Sequence, residues 1–217
     1  MPEHQSIKSH ESLLRGVASE LAIELTDSQF KQLGCHFAQL LKWNRKVNLT
    51  SLRDLEEIAS RHFGESLFLT KVLPVPSGLM IDVGSGGGFP GLPLRIAWPS
   101  MRAVLLEPNR KKAAFLKEVI RNCGIQGAEV QTQRLDKAAE TTLQGCASLV
   151  TVRAVEASEE LLHHLTHLLG PGGNLALFLG AKDATRVEKF PGLEWDPAVA
   201  VPHSERRRIL IGRLSTH

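Results

Sequence analysis

Leu79-Met80-Ile81-Asp82-Val83-Gly84-Ser85-Gly86-Gly87-Gly88-Phe89-Pro90-Gly91-Leu92-Pro93 is the stretch around which the rest of the chain arranges itself. Leu79–Val83 is a short apolar run of the kind that forms a fully buried parallel strand. Asp82 sits near its end, and Gly84, Gly86, Gly87 and Gly88 follow, with Gly91 close behind. Glycine tolerates positive φ and lets a ligand approach the backbone with no Cβ in the way. A strand, a glycine-rich turn and an apolar helix form the ligand cradle of an open α/β sheet, whose ligands lie beyond the carboxyl ends of the strands.

Two patterns overlap here. Gly86-x-Gly88-x-x-Gly91 matches the dinucleotide fingerprint. Asp82-x-Gly84-x-Gly86-x-Gly88 resembles the acid-plus-glycine loop of S-adenosylmethionine (SAM)-dependent methyltransferases. An acid ahead of the glycines suits a ligand carrying an ammonium group and repels a pyrophosphate. SAM is therefore the expected cofactor, with Asp82, Gly84 and Gly86 at its site. An NAD(P)-binding oxidoreductase and a non-enzymatic ribosome-binding module are the alternatives. The chain has no Tyr, which excludes dehydrogenases that use a catalytic tyrosine.

A length of 217 residues fits one domain, or a domain with an extension. No apolar run is long enough to span a bilayer, and Met1 to Ala22 does not read as a signal peptide. Cys35, Cys123 and Cys146 are far apart and form no C-x-x-C pair, so the expectation is small buried thiols in a reducing cytoplasm. The net charge of +3 permits a nucleic-acid partner without demanding one.

Residues 1–76 read as a helical extension, and residues 77–217 as the sheet domain. Leu13, Leu14, Val17, Leu21 and Leu25 recur at helical spacing, and Thr26-x-x-Gln29 resembles a capping box. Phe30, Leu33, Phe37, Leu40 and Leu41 mark the next apolar stripe. Lys42, Arg45, Lys46 and Arg53 then cluster around Trp43. They read either as a phosphate-contacting patch with a stacking aromatic, or as a helix C-terminus with a core Trp.

Pro74-Val75-Pro76-Ser77-Gly78 breaks the pattern. Strands are expected at Leu79–Val83, Arg102–Glu107, Ala128–Thr132, Ser148–Val152 and Asn174–Leu179. Helices are expected at Asn109–Asn122, Asp136–Leu143, Glu156–Leu169 and from about Lys182. The Pro202-His203-Ser204 break suggests a terminal β-hairpin within Leu193–Leu214. Such alternation means βαβ units and a parallel sheet.

Glu107 ends the second strand, where a Rossmann-like fold places an acid for the ribose hydroxyls. Asp136 follows the third strand and reads either as an acid near an adenine amino group or as a helix N-cap. Arg153 ends the fourth strand at the crevice and could meet a phosphate, a carboxylate or a base. His163, His164 and His167 lack a completing ligand, so no metal is expected and a solvated helix face is the reading. No nucleophile–base arrangement stands out, so no catalytic residue is expected.

The chain resembles the bacterial 16S ribosomal RNA guanine-N7 methyltransferase G family, also called glucose-inhibited division protein B. The likeness rests on Leu41-Lys42-Trp43-Asn44 with Asn48-Leu49-Thr50-Ser51, and on Arg61-His62 with Glu65-Ser66. It continues through the glycine loop into Phe89-Pro90-Gly91-Leu92-Pro93, then Leu105-Leu106-Glu107, Lys111-Lys112, Phe115-Leu116, Arg134 and Arg153-Ala154. It implies a Rossmann-like class I methyltransferase with a mostly parallel seven-stranded sheet and an N-terminal helical extension. It implies Gly84 and Phe89 at the SAM site, Glu107 on the ribose, Leu135 and Asp136 at the adenine, and Arg153 as a further ligand contact. It also implies methylation of a guanine N7 of 16S rRNA near the decoding site, and a cytoplasmic monomer is expected. Lys42, Arg45, Lys46, Arg110, Lys111 and Lys112 are the expected RNA contacts. Three positions depart from the family pattern: Glu65 where Asp is usual, Gly180 where Lys is frequent, and Pro108 where Ser is usual.

Overall fold

The computed structural model describes residues 2–139, 142–153 and 157–214. Strand β1 (Leu79–Val83) lies inside a sheet with β2 (Arg102–Leu106), β3 (Ala128–Gln131), β4 (Ala147–Arg153) and β5 (Leu169–Gly180), all parallel. The antiparallel partner of β5 is β8 (Arg207–Leu214), which also pairs with β6 (Leu193–Trp195) and β7 (Val199–Ala200). The order is β3-β2-β1-β4-β5-β8-β6, with β7 on β8. Among the described residues eight strands stand where seven were expected, because the segment before β8 breaks into two short strands instead of one arm of a hairpin. The order in which strands are added reverses between β1 and β4, and a crevice opens there at the carboxyl ends.

Helices α1 (Pro2–Glu20), α2 (Asp27–Asn44), α3 (Leu55–Ile58) and α4 (Glu65–Val72) precede the sheet. The expected capping box is present: Thr26 Oγ1 accepts from Gln29 N at 3.3 Å, and Gln29 Oε1 accepts from Thr26 N at 2.8 Å. Between α3 and α4 the turn widens into a π-helix over Ala59–Gly64, which carries Arg61 and His62. Within the sheet domain come α5 (Gly91–Ala97), α6 (Arg110–Asn122), α7 (Leu135–Ala139), α8 (Glu159–Leu168) and α9 (Ala181–Val187). Ala154 and Glu156 lie outside the described residues, and α8 starts later than expected because Ser158 is its N-cap, the side chain accepting from Leu161 N. None of the helices, among the described residues, is long and apolar enough to cross a membrane.

Successive residues of β1 face opposite sides of the sheet. Ile81 and Val83 join the core under α8, with Leu162 and Leu165. Met80 and Asp82 face the other way, toward α5. On that side Leu14, Phe37 and Phe63 from the helical extension share one core with Leu92, Leu105 and Phe115 from the sheet domain. Phe37, Phe63 and Phe115 are among the largest fully buried side chains. Each contributes roughly 1.5–3 kcal/mol of burial, enough to make the extension an integral layer.

The cysteine expectation is corrected. Cys35 on α2 and Cys123 after α6 form a disulfide with Cα atoms 5.5 Å apart, and Cys146 is exposed. The pairing arises because α2 packs antiparallel to α6, which also brings Trp43 edge-on to Phe115. These cysteines therefore say nothing about compartment. Trp43 is a packing residue, its Nε1 donating to Glu118 Oε1 at 3.2 Å, and not a free stacking platform.

Candidate active site

The backbone of β1 runs straight into the loop. Gly84 N and Ser85 N both donate to Leu106 O, at 2.9 and 3.2 Å, so the loop continues the sheet ladder. Gly84 and Gly86 hold φ of +70° and +53°, which a residue with a Cβ adopts only under strain. A Cβ on Gly84 would meet nothing within 4 Å, so the loop faces open space. That space is a cavity of about 540 Å³ lined by Val83, Gly84, Pro108, Leu135, Asp136 and His164, among others. Its walls are apolar strand and helix ends with a few polar groups at the rim, which suits an adenosyl moiety.

Glu107 is 5% exposed and fixes the loop. Its Oε2 accepts from Gly86 N at 2.9 Å and its Oε1 from Asn109 N at 2.8 Å. Each oxygen keeps a second lone pair for a ligand hydroxyl. Asn109 caps α6 by accepting from the backbone of Lys111 and Lys112. Asp136 lies in the first turn of α7 and is not its N-cap.

Of the residues expected at the cofactor, Gly84, Leu135 and Asp136 line this cavity, while Asp82, Gly86, Phe89, Glu107 and Arg153 do not. Asp82 is fully buried. Its Oδ1 accepts from Thr151 Oγ1 at 2.6 Å, and its backbone carbonyl accepts from Ser85 Oγ at 3.0 Å. Burial raises its pKa to about 6, against opposing hydrogen bonds from Thr151 and Ser85. Asp82 thus supports the loop from beneath. Phe89 stacks between His36 and His62, with centroids 5.0 and 4.8 Å away. His36 Nε2 donates to Gly87 O at 2.8 Å, so α2 grips the loop from the helical layer.

The Arg153 guanidinium points to the π-helix. Its Nη2 donates to Arg61 O at 2.8 Å and to His62 Nδ1 at 3.1 Å, and lies 3.4 Å from Glu65 Oε2. Since Nδ1 accepts, His62 carries its proton on Nε2 and donates to Thr50 Oγ1 at 2.6 Å. Thr50 is placed by Asn44, whose Oδ1 accepts from Leu49 N and Thr50 N and whose Nδ2 donates to Thr50 O. Arg207 on β8 donates to both oxygens of Glu65, at 2.8 and 2.6 Å. Asn44, Thr50, His62 and Glu65 stand out in the sequence only as members of motifs, with no role attached, and Arg207 does not stand out at all. The signal for Arg207 is the run Arg206-Arg207-Arg208.

The chain matches the family model described as rRNA small subunit methyltransferase G over residues 29–194. The chain belongs to the rRNA small subunit methyltransferase G family. It is a methyltransferase with SAM as methyl donor. Curated relatives bearing the family name include one from Pseudomonas aeruginosa, 34% identical over 208 residues, covering 93% of each chain. Another from Ectopseudomonas mendocina is 35% identical over 199 residues, covering 85% of this chain and 91% of its own. Among solved structures, cofactor-bound Rv0187 superposes with a TM-score of 0.62 at 16% identity, covering 84% of this chain and 90% of its own. An Aquifex aeolicus SAM-dependent methyltransferase does so with a TM-score of 0.62 at 14% identity, covering 77% and 97%. Membership of the family disfavours both the dinucleotide and the non-enzymatic readings. In the family loop, Gly91 serves packing: a Cβ there would lie 2.5 Å from Leu105 Cδ2 and 2.6 Å from Asp82 Oδ2.

The buried titratable groups behind the family loop give a pH prediction. Burial lowers His36 to about 4, against the hydrogen bond to Gly87. Burial, then the nearby Arg153, Arg207 and Arg61, lower His62 to about 3. Below the unfolded histidine value of 6.5 the unfolded chain binds protons that the folded chain rejects, so stability falls with pH. Asp82 opposes this, because its raised pKa lets the folded state hold a proton between 3.8 and about 6. Two histidines outweigh one carboxyl. The urea unfolding free energy is expected to drop by roughly 2 kcal/mol between pH 7 and pH 5. A flat or rising profile over that interval would mean that the rings are not held neutral.

Proposed function

We propose that this chain transfers the methyl group of SAM to N7 of a guanine in 16S rRNA near the decoding site, working as a cytoplasmic monomer on the small ribosomal subunit. The observation that carries it is the pair of cavities beyond the carboxyl ends of neighbouring strands. One is lined by Gly84 at the end of β1, and the other is lined by arginines. Guanine N7 bears a free lone pair, so the reaction needs no proton removed before attack. The side chains fit that demand, since both nitrogens of His62 are occupied by Arg153 and Thr50. What remains for the protein is to hold the base in line and tolerate the shifting positive charge.

In this reading Gly84 and Gly86 leave room for the cofactor, and Glu107 accepts from its ribose hydroxyls. Leu135 and Asp136 border its adenine, while Asp82 and Phe89 hold the loop in shape. SAM supplies an electrophilic methyl on sulfur. The boundary between helical extension and methyltransferase domain falls at Pro74–Gly78. Lys42, Arg45 and Lys46 lie at the end of α2, and Arg110, Lys111 and Lys112 begin α6. Because the two helices are antiparallel, both clusters come to the same end of the molecule, where an RNA backbone would cross. Neutralising all six is expected to make the salt dependence of rRNA binding shallower, by about 0.7 in log–log slope for each single-strand phosphate that is no longer neutralised. An unchanged slope would remove these residues from the interface.

Calorimetry with SAM and NAD in parallel, followed by methyl transfer to 16S and 23S rRNA, tests the reading. Binding of SAM alone and transfer to 16S rRNA are expected. Binding of NAD with no heat from SAM would sink it.

A further inference from the structure

Beyond the methyl-donor cavity, a second cavity of about 430 Å³ opens at the carboxyl ends of β4 and β5. Arg61, Arg153, Arg206, Arg207 and Arg208 line it, with Glu65 the only carboxylate among its described lining residues. A third cavity of about 430 Å³ adjoins it, sharing Arg61, Glu65, Arg206 and Arg207 and walled by the turn from Pro202 to Glu205. Together they make a groove across the C-terminal hairpin. β4 neighbours β1 in the sheet, so the groove and the methyl-donor cavity lie side by side on one rim.

The five arginines do not do the same thing. Arg153 and Arg207 are held by Glu65, and Arg61 pairs with Glu57. Arg206 is exposed, and its guanidinium makes no hydrogen bond among the described residues; its backbone carbonyl accepts from Ala181 N at 2.8 Å, which fixes its Cα against α9. Arg208 uses one guanidinium nitrogen to donate to the carbonyls of Glu205 and Arg207, at 3.1 and 2.8 Å, and lines the larger cavity. A buried carboxylate thus neutralises the inner cations, while the outer two make no ion pair among the described residues, with Glu205 of the same turn walling the third cavity.

We propose that Arg206 and Arg208 bind the phosphodiester backbone of the substrate RNA beside the target nucleotide, with the Glu65-paired Arg207 and Arg153 forming the floor of that groove. Guanidinium forks match phosphate oxygens in pairs of parallel hydrogen bonds. A strand anchored here would present its base sideways, toward the glycine loop. The site is separate from the basic ends of α2 and α6, and the inference rests on RNA being the methyl acceptor.

The test compares Arg206→Gln with Arg208→Gln against a control that loses the same charge elsewhere, Arg102→Gln with Arg213→Gln. Arg102 opens β2, and Arg213 pairs with Asn174 near the amino end of the sheet. Both control positions are exposed. For the groove variant, 16S rRNA affinity is expected to fall about tenfold and the log–log salt slope to become shallower by about 1.4, two single-strand phosphates. SAM affinity should be unchanged, and KM for rRNA should rise more than kcat falls. The control should change rRNA affinity less than about threefold. Arg206→Gln alone, which breaks no hydrogen bond of the hairpin, should show half of the slope change. Unchanged rRNA affinity and slope in the groove variant, or an equal loss in the control, would overturn the assignment. A wild-type protein that binds SAM yet transfers no methyl to any rRNA would instead overturn the RNA reading on which it rests.

Discussion

Replacing Glu65 with glutamine is expected to destabilise the fold by roughly 3 kcal/mol, the lower end of the range for removing one partner of a buried ion pair. Glu65 is 7% exposed at its side chain and Arg153 11%, while Arg207 is 32% exposed and partly screened. Without the carboxylate, two guanidiniums face each other across a cavity. Burial already depresses Arg153 to about 10, with Glu65 the main opposing influence. Glu65→Asp keeps the charge but withdraws it by one methylene, so it should lose the two-oxygen pairing with Arg207 and cost less. Urea unfolding of the three proteins measures this. Equal midpoints for wild type and Glu65→Gln would show that the pair carries no net stability.

The second large effect is expected at Glu107. Alanine there should weaken SAM binding about 100-fold, or roughly 3 kcal/mol. Part of that loss is the ribose hydrogen bonding. The rest comes from Gly86 N and Asn109 N, which lose their acceptor inside the protein. Glu107→Gln should fall between, since its amide has one acceptor for two backbone donors. Calorimetry on the RNA-free protein reads both. Full SAM affinity in Glu107→Ala would place the ribose elsewhere.

How far the sequence leads depends on distance along the chain. β1 and its glycines are legible because everything that shapes them is local: an apolar run, positive-φ positions and the ladder continuing to Leu106. The capping box at Thr26 is local in the same way, whereas Asn109, expected inside α6, turns out to be its N-cap. Gly84, Leu135 and Asp136 line one cavity. Asp82 misleads, because its side of the strand is set by alternation, and what covers that side is a helical layer from another part of the chain. Arg153 is legible as a rim residue, but not in its aim, which depends on a π-helix around Arg61. Glu65 and Arg207 are 142 residues apart, and Cys35 and Cys123 are 88 apart; nothing in either neighbourhood announces its partner. The second short strand of the C-terminal arm escapes notice because two residues leave almost no periodicity to read.

The most direct test of the central claim is chemical identification of the product. The protein is incubated with SAM carrying an isotopically labelled methyl group and with 16S rRNA, as naked RNA and as assembled subunit. The RNA is digested to nucleosides, which are separated and weighed. Label is expected in 7-methylguanosine from 16S rRNA, with none when SAM is omitted. Label in any other nucleoside, or none in 16S rRNA with either substrate, would contradict the assignment.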